Sequence, residues 1–302
     1  MKLVTALYEG KSAVGVIGTD EKTVLLLNDA EEKRSGQRPF LDNMIVCIEE
    51  GEDFLAKVES LVQWVNEEQL VNELYLPLER ITLQAPIPRP SKNIFCVGKN
   101  YAEHAIEMGS KDDIPEHVMI FTKAPTTVVG PNEGILEHKQ VTDQLDYEGE
   151  LAVVIGKTGR AIKREDALDY VFGYTIVNDI TARDLQKKHK QFFIGKSLDA
   201  SAPMGPWIVT KSEIKNPHSL HIQTVVNGER RQDSNTENFI FPIDEVICVL
   251  SKGMTLEPGD IIATGTPAGV GKGFNPPRFL KAGDKIDISV EGIGVLSNTI
   301  VE

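Results

Sequence analysis

Short apolar runs, separated by turn residues, recur along most of the chain and predict β-strands. Near the start these runs are AVGVIG and TVLLLND, and in the middle they are GELAVVIG, VFGYTIVND, APMGPWIVT and HIQTVVNGE. The last runs are DIIATGT and DKIDISVEGIGVLSNTIVE, interrupted by Gly-Asp turns at 259–260 and 283–284. The pattern predicts an α+β protein that is mainly β, and it argues against a parallel Rossmann sheet.

Few segments have the spacing of a helix. The stretch DFLAKVESLVQWVNEEQ places apolar residues three and four positions apart, which predicts an amphipathic helix. A second helical segment is expected over Tyr101–Met108, where Gly109 would end it. KREDALDYV and TARDLQKKHKQF are expected to be polar helical connectors between strands.

A proline-rich segment divides the chain. APIPRPSKN, residues 85–93, holds three prolines in nine positions, and proline both removes a backbone donor and disfavours helix before it. We therefore predict a small α+β N-terminal domain over 1–84, an extended connector over 85–93 and a catalytic domain over 94–302. A length of 302 residues fits two domains at about 150 residues each.

The charge balance excludes one broad class of partner. The chain has 41 % apolar residues, which is a globular composition, and a formal net charge of −13. Such an acidic chain is repelled by the phosphates of nucleic acid, so we expect no nucleic-acid partner.

The sequence also bears on location. No run of about 18 apolar residues is present, so we expect no membrane-spanning helix. The apolar stretch Leu3–Tyr8 stops at Glu9, too early for a secretion signal. Three widely spaced cysteines fit a reducing compartment better than a disulfide framework, and we expect a cytoplasmic protein in which they are core residues.

The stretch LDYEGEL carries the strongest chemical signal. Glu148 and Glu150 would share one face of a strand, because side chains repeat every two residues. Alternating acids are often a solvated face, but Gly149 and the apolar run Leu151–Ile155 favour burial. Buried carboxylates need partners, and a third acid, Asp179, ends the strand YTIVNDIT. Oxygen ligands of this kind suit Mg²⁺ or Mn²⁺ better than zinc.

Histidine and lysine side chains could complete such a site. His104 and Glu107 are three residues apart on the predicted helix, where a carboxylate would orient the imidazole as a general base; an ordinary surface pair is the alternative. Lys123 in FTKAP and Lys196 in FIGKSLD lie among apolar or small residues, where each could form a structural ion pair or bind an anion.

The glycine-rich stretch ATGTPAGVGKGF does not match a nucleotide-binding P-loop. Thr266 stands where the first glycine of that motif belongs, and Gly273 replaces the required serine or threonine. We expect instead a tight loop whose backbone N–H groups and Thr266 hydroxyl could receive a carboxylate.

A set of motifs in fixed order resembles the fumarylacetoacetate hydrolase family over residues 93–301. The motifs are GKNYAEHAIEMG, FTKAPTTVVG, DYEGELAVVIG, GYTIVNDITARDLQ, FIGKSLDASAPMGPW, VNGERRQ, LEPGDIIATGTPAGVG and GDKIDISVEGIGVLSN. The resemblance implies a mixed β-roll or β-sandwich catalytic domain, a homodimer, and Mg²⁺ or Mn²⁺ as cofactor.

The resemblance also implies roles for individual residues. The metal ligands would be Glu148, Glu150 and Asp179, and the catalytic residues would be His104, Glu107 and Lys196, with His104 and Glu107 on a lid that orders over the substrate. The substrate-binding residues would be Lys123, Gly265, Thr266, Arg183 and Gln186.

The expected reaction is C–C bond cleavage in a small dicarboxylic or 2-oxo acid. On resemblance we expect an oxaloacetate decarboxylase. The alternatives are an acylpyruvate or fumarylpyruvate hydrolase, an isomerase of the 2-hydroxyhepta-2,4-diene-1,7-dioate type, and, from a different class, a non-catalytic interaction protein on the same scaffold.

Overall fold

The computed structural model describes all residues, 1–302, and the mainly β, α+β fold expected from the sequence is confirmed. The strands are β1 (Lys2–Tyr8), β2 (Lys11–Ile17), β3 (Thr23–Leu26), β4 (Tyr75–Pro77), β5 (Thr82–Leu83), β6 (Ile94–Gly98), β7 (Met119–Lys123), β8 (Val128–Val129), β9 (Gly134–Leu136), β10 (Leu145–Asp146), β11 (Gly149–Ile155), β12 (Val171–Asn178), β13 (Thr181–Ala182), β14 (Ala202–Thr210), β15 (His221–Val226), β16 (Glu229–Asn235), β17 (Ile261–Ala263), β18 (Lys285–Val290) and β19 (Gly294–Val301).

Helices are short apart from one in the N-terminal segment. The α-helices are α1 (Leu27–Ser35), α2 (Met44–Glu50), α3 (Glu52–Glu67), α4 (Val71–Leu74), α5 (Ala102–Met108), α6 (Arg183–His189), α7 (Phe193–Lys196) and α8 (Ile243–Ser251). The 3₁₀ helices are Leu78–Arg80, Lys111–Asp113, Pro125–Thr127, Arg164–Tyr170, Lys211–Glu213, Thr236–Asn238 and Gly271–Gly273. No helix is both long and apolar enough to cross a membrane.

Two sheets form the body of the molecule. The larger has the strand order β4-β3-β2-β1-β14-β12-β11-β17-β6-β7, with β5 added beside β1 and β8 beside β14. The smaller has the order β16-β15-β18-β19-β9, and a separate two-stranded ladder joins β10 to β13. Most pairs are antiparallel, and the pairs β17–β6, β19–β9 and β14–β8 are parallel.

The N-terminal segment is continuous with the larger sheet. Strand β1 pairs antiparallel with β14, so the first four strands extend a sheet whose other half belongs to the later part of the chain. Helix α3 packs on this sheet with a buried stripe of Phe54, Val58, Leu61 and Val65, which has the spacing expected of an amphipathic helix. One apolar cluster contains these side chains together with Val177 and Met204 from the later strands and other members of both segments. The domain boundary at 85–93 remains a prediction.

Strand β11 is placed where both sheets meet. All of its residues are buried, and it pairs with β12 on one side and β17 on the other. A Cβ on Gly149 would lie 2.4 Å from Thr224 Oγ1 and 3.0 Å from Ile288 Cγ2, both in the smaller sheet. The missing side chain therefore allows the smaller sheet to pack closely against the start of β11.

The shared core predicts that the two segments unfold together. Leu61 is fully buried in α3, and its replacement by alanine is expected to lower the free energy of unfolding by about 2–5 kcal/mol. Trp64 and Trp207 are the two tryptophans of the chain and report on α3 and on β14, so single-tryptophan variants follow each segment by fluorescence during urea unfolding. Leu61→Ala should move both transitions equally, whereas Gln63→Ala, at an exposed position of the same helix, should move neither. Separate shifts would show that the core does not couple the segments.

Candidate active site

Three carboxylates meet at the adjoining ends of β11 and β12. Glu148 precedes β11, Glu150 is its second residue, and Asp179 directly follows β12. The antiparallel register pairs Gly149 with Asn178, and the Asp179 N–H donates to the Glu148 carbonyl at 2.8 Å. One ligand atom from each carboxylate lies within 4.8 Å of the other two, and all three residues are buried. The structure thus brings together the three predicted metal ligands in a group that could hold a metal ion.

Two lysines and one arginine surround the carboxylates. Lys196 Nζ donates to Glu148 Oε2 at 2.5 Å and to Asp179 Oδ2 at 2.6 Å. Lys123 Nζ lies 2.9 Å from Asp179 Oδ1 and also donates to the carbonyls of Ile180 and Lys196. The ammonium group of Lys123 is thus fully buried beside one carboxylate and two backbone carbonyls.

Arg183 bridges two acids. Its Nη2 lies 2.7 Å from Glu148 Oε1, and its Nε donates to Asp146 Oδ2 at 2.8 Å. Its Nη1 also donates to the Gln186 side-chain carbonyl at 3.3 Å. Both Arg183 and Asp146 are buried, so the guanidinium is committed to holding the acids in place.

The carboxylates differ in their electrostatic support. Burial alone would raise the pKa of Glu148, but the charges of Lys196 and Arg183 outweigh burial and hold that pKa well below its usual value. Glu150 has no ion-pair partner, and burial together with the charges of Asp179 and Glu148 raises its pKa well above its usual value. Its one hydrogen-bond partner is the Gly265 N–H, which donates to Oε2 at 2.8 Å.

This imbalance fits a divalent cation. The buried group has four carboxylates, those of Asp146, Glu148, Glu150 and Asp179, against the three cations of Lys123, Lys196 and Arg183. A cation placed among the three carboxylates would supply the charge that Glu150 lacks, and an all-oxygen ligand set suits Mg²⁺ or Mn²⁺. The donor set therefore fits the cofactor expected from the sequence.

His104 and Glu107 form a pair on helix α5. His104 Nδ1 lies 3.3 Å from Glu107 Oε2, as the three-residue spacing predicts, and the histidine is buried. The other oxygen of Glu107 accepts from the Gly269 N–H at 2.9 Å. A Cβ on Gly273 would come within 2.1 Å of the same oxygen, so a glycine there allows helix α5 to rest on the glycine-rich loop.

The glycine-rich loop serves the carboxylates rather than a free anion in this structure. Gly265 has a φ of +98°, which favours glycine, and its N–H is used by Glu150. The Thr266 hydroxyl donates to the Gly149 carbonyl at 2.9 Å and accepts from Gln232 Nε2 at 2.7 Å. Since a hydroxyl has a single proton, Thr266 offers a substrate its remaining acceptor capacity and its methyl group.

A cavity of about 230 Å³ opens onto this carboxylate group. Its volume is below the usual range for small-molecule pockets. Of the predicted site residues, those that line it are His104, Glu148, Glu150, Arg183, Gln186, Lys196 and Thr266. Those that support the group from outside the cavity wall are Glu107, Lys123, Asp179 and Gly265.

Three further lysines line the cavity and were not singled out by sequence reasoning. They are Lys99, Lys187 and Lys272, which join apolar side chains such as Phe121 and Phe192 in the wall. Helical spacing could have indicated Lys187, because it lies four residues after Arg183 on the same face of α6. No comparable signal exists for Lys272, whose place in the wall depends on how the glycine-rich loop folds back.

Sequence comparison places the chain among known proteins. A family model described as Fumarylacetoacetate (FAA) hydrolase C-terminal matches residues 93–301. The chain is 57 % identical over 302 residues to the protein named oxaloacetate tautomerase YisK of Bacillus subtilis (strain 168), a match that covers 99 % of this chain and 100 % of the relative.

Solved structures agree with this placement. The fumarylacetoacetate hydrolase from psychrophilic Exiguobacterium antarcticum has a TM-score of 0.81 and 40 % identity, covering 100 % of this chain and 99 % of its own. A maleylpyruvate hydrolase from Sphingobium sp. SYK-6, solved in complex with manganese (II) ion and pyruvate, has a TM-score of 0.75 and 30 % identity over 100 % and 99 % of the two chains. The chain belongs to the fumarylacetoacetate hydrolase family.

Proposed function

We propose that this protein is a divalent-metal-dependent enzyme that interconverts the keto and enol forms of a small 2-oxo acid, with oxaloacetate as the favoured substrate. The observation that carries the proposal is the meeting, in one small cavity, of a buried carboxylate group and a histidine oriented by a glutamate. The relative named oxaloacetate tautomerase, at 57 % identity, supports the choice of substrate and reaction.

The carboxylate group defines one end of the substrate site. Glu148, Glu150 and Asp179 would hold Mg²⁺ or Mn²⁺, which when bound supplies Lewis-acid stabilisation of negative charge on the substrate's 2-oxo oxygen. Lys196 lies against two of these carboxylates and lines the cavity, so its ammonium adds positive charge at the same end.

His104 provides the group that moves the proton. An ionised Glu107 only accepts hydrogen bonds, so His104 carries its proton on Nδ1 and leaves Nε2 as a free acceptor. From the keto form, Nε2 would take a proton from C3 and the C–H electron pair would form the enolate; returning the proton to oxygen or to C3 gives the enol or the keto form. Glu107 stabilises the imidazolium that exists between these steps.

Decarboxylation is the second candidate function, because it generates an enolate with the same charge on the same oxygen. In oxaloacetate the C3–C4 bond would break, CO₂ would leave, and the electron pair would remain as pyruvate enolate. The cationic side chains around the carboxylates support this route equally, but it needs no base to begin. The His104–Glu107 pair therefore favours tautomerisation over our sequence-based expectation of a decarboxylase.

A substrate panel separates these reactions. With purified protein and Mn²⁺, we expect loss of the enol absorbance of oxaloacetate well above the spontaneous rate, without stoichiometric pyruvate. Pyruvate released in step with substrate loss would identify the decarboxylase instead. Turnover of acetylpyruvate or fumarylpyruvate alone would replace both by a hydrolase, in which His104 would activate water.

Replacing His104 tests the proton transfer. His104→Gln is expected to lower kcat for tautomerisation by about 10²–10⁴-fold, because the general base is lost. Mn²⁺ binding should be retained, since His104 is outside the carboxylate group, and isothermal titration calorimetry measures it. His189→Gln, at the exposed end of α6, is the matched control and should retain activity. Unchanged kcat in His104→Gln would remove the histidine from the mechanism.

The two glutamates should respond in opposite ways to amide substitution. Glu150→Gln removes a buried charge without an ion-pair partner, so in EDTA the unfolding midpoint should be unchanged or higher, while Mn²⁺ affinity falls at least about 10-fold. Glu148→Gln removes one carboxylate partner from each of Lys196 and Arg183, which keep Asp179 and Asp146, and should destabilise the metal-free protein by about 1–3 kcal/mol. Unfolding curves in EDTA and Mn²⁺ titrations test both. Equal destabilisation, or wild-type Mn²⁺ binding by Glu150→Gln, would contradict this account of the carboxylates.

A further inference from the structure

The cations of the cavity fall into two groups. Five cationic side chains line it, and three of these have carboxylate partners: Arg183 and Lys196 with the acids of the metal group, and Lys99 with Asp113 at 2.9 Å. Lys187 and Lys272 have no carboxylate within 4.0 Å and donate no side-chain hydrogen bond. Two unpaired ammonium groups therefore remain in the wall of a cavity that already holds other positive charge.

The backbone that carries Lys272 is fixed. Asp146 accepts from the Gly271 N–H at 2.7 Å and from the Lys272 N–H at 3.1 Å, and its Oδ2 also accepts from Arg183 Nε at 2.8 Å. A Cβ on Gly271 would lie 2.7 Å from the Asp146 carboxylate and 2.3 Å from the Arg278 carbonyl, so the close approach depends on glycine. Lys272 thus starts from a rigid position in the wall.

Lys187 approaches from another element. It lies one helical turn after Arg183 on α6. The Lys187 side chain is exposed, whereas the Lys272 side chain is half-buried. Burial first, and then the charges of Arg183 and Lys187, lower the pKa of Lys272, as expected for a cation placed near two others. A bound anion would relieve the repulsion between these like charges.

We propose that Lys272, assisted by Lys187, binds the second carboxylate of a dicarboxylic 2-oxo acid and thereby selects diacids over monoacids. The inference rests on the proposed function, in which the 2-oxo end of the substrate lies at Glu148, Glu150 and Asp179. The small cavity spans both groups, which favours a short diacid such as oxaloacetate over a long one. An anion that bridges them has a cationic partner at each end.

The cavity also differs from the rest of the molecule in charge. Its wall has five cationic side chains against two carboxylates, although the whole chain has a formal net charge of −13. The two unpaired ammonium groups of Lys187 and Lys272 give a small dianion its counter-charges in this wall, in a protein that is acidic overall. Lys188 is exposed next to Lys187 but is outside the wall, so it provides a matched control for general surface charge.

Lys272→Met tests the proposal in the full-length, Mn²⁺-loaded protein. The variant keeps most of the length of the unbranched side chain and removes its charge, and we expect KM for oxaloacetate to rise about 10- to 100-fold with a smaller change in kcat. Exchange of the C3 hydrogens of 2-oxobutyrate with deuterium, followed by NMR, should be unchanged, because this monoacid has no second carboxylate. Lys272→Arg should restore most of the affinity, and Lys188→Met should behave as the wild type.

Binding of unreactive acids separates this proposal from the proposed reaction. We expect Lys272→Met to weaken L-malate about 10-fold or more in calorimetric titrations and to leave 2-hydroxybutyrate unaffected. If the wild-type protein turns over no 2-oxo acid but still shows this pattern, the diacid site stands and the reaction fails. If Lys272→Met leaves the affinity for the diacid unchanged, or weakens diacid and monoacid alike, the diacid site is overturned.

Discussion

The arrangement of the site depends on the cost of placing several carboxylates together out of water. Unpaired charges in a protein interior cost several kcal/mol each, and here Asp146, Glu148, Glu150 and Asp179 are all buried. Lys123, Lys196 and Arg183 offset most of that cost through contacts of 2.5–2.9 Å. The remaining deficit is concentrated on Glu150, which makes the group receptive to a cation.

The backbone geometry follows from the same requirement. Antiparallel pairing of β11 with β12 brings Glu148 beside Asp179, and full burial of both strands keeps their ends from moving apart. Gly149 has no side chain to keep the smaller sheet away from β11, and the backbone conformation of Gly265 lets its N–H reach Glu150. A site built on strands in this way holds its ligands more rigidly than one built on loops.

Periodicity and residue chemistry were enough to predict the centre of this site but not its wall. Alternation in a strand put Glu148 and Glu150 on one face, helical spacing joined His104 to Glu107, and both signals are local. Asp179 was proposed as the third acid because it ends the strand YTIVNDIT and buried carboxylates need partners, whereas its contact with Glu148 depends on a strand register that spacing does not give. The contact of Lys272 with the cavity depends on a loop folding back onto Asp146, over more than a hundred residues of intervening chain, and no local pattern encodes it. Continuity of the N-terminal strands with the larger sheet was likewise invisible, because pairing of β1 with β14 is a non-local contact.

The two ends of the cavity have different tasks in the chemistry. Tautomerisation, decarboxylation and hydrolysis all place negative charge on the 2-oxo oxygen, so the end of the cavity beside the carboxylate group and Lys196 could serve each of them. What differs between these reactions is the bond at C3, and its fate depends on whether a base is present and on what holds the far end of the substrate. When the second carboxylate of a diacid is held in an ion pair, the ammonium groups stabilise its negative charge. Loss of CO₂ moves that charge out of the carboxylate as the C3–C4 bond breaks. The ion pair therefore opposes decarboxylation. The unpaired lysines therefore favour the same outcome as the His104–Glu107 pair: proton transfer at C3 with the carbon skeleton intact.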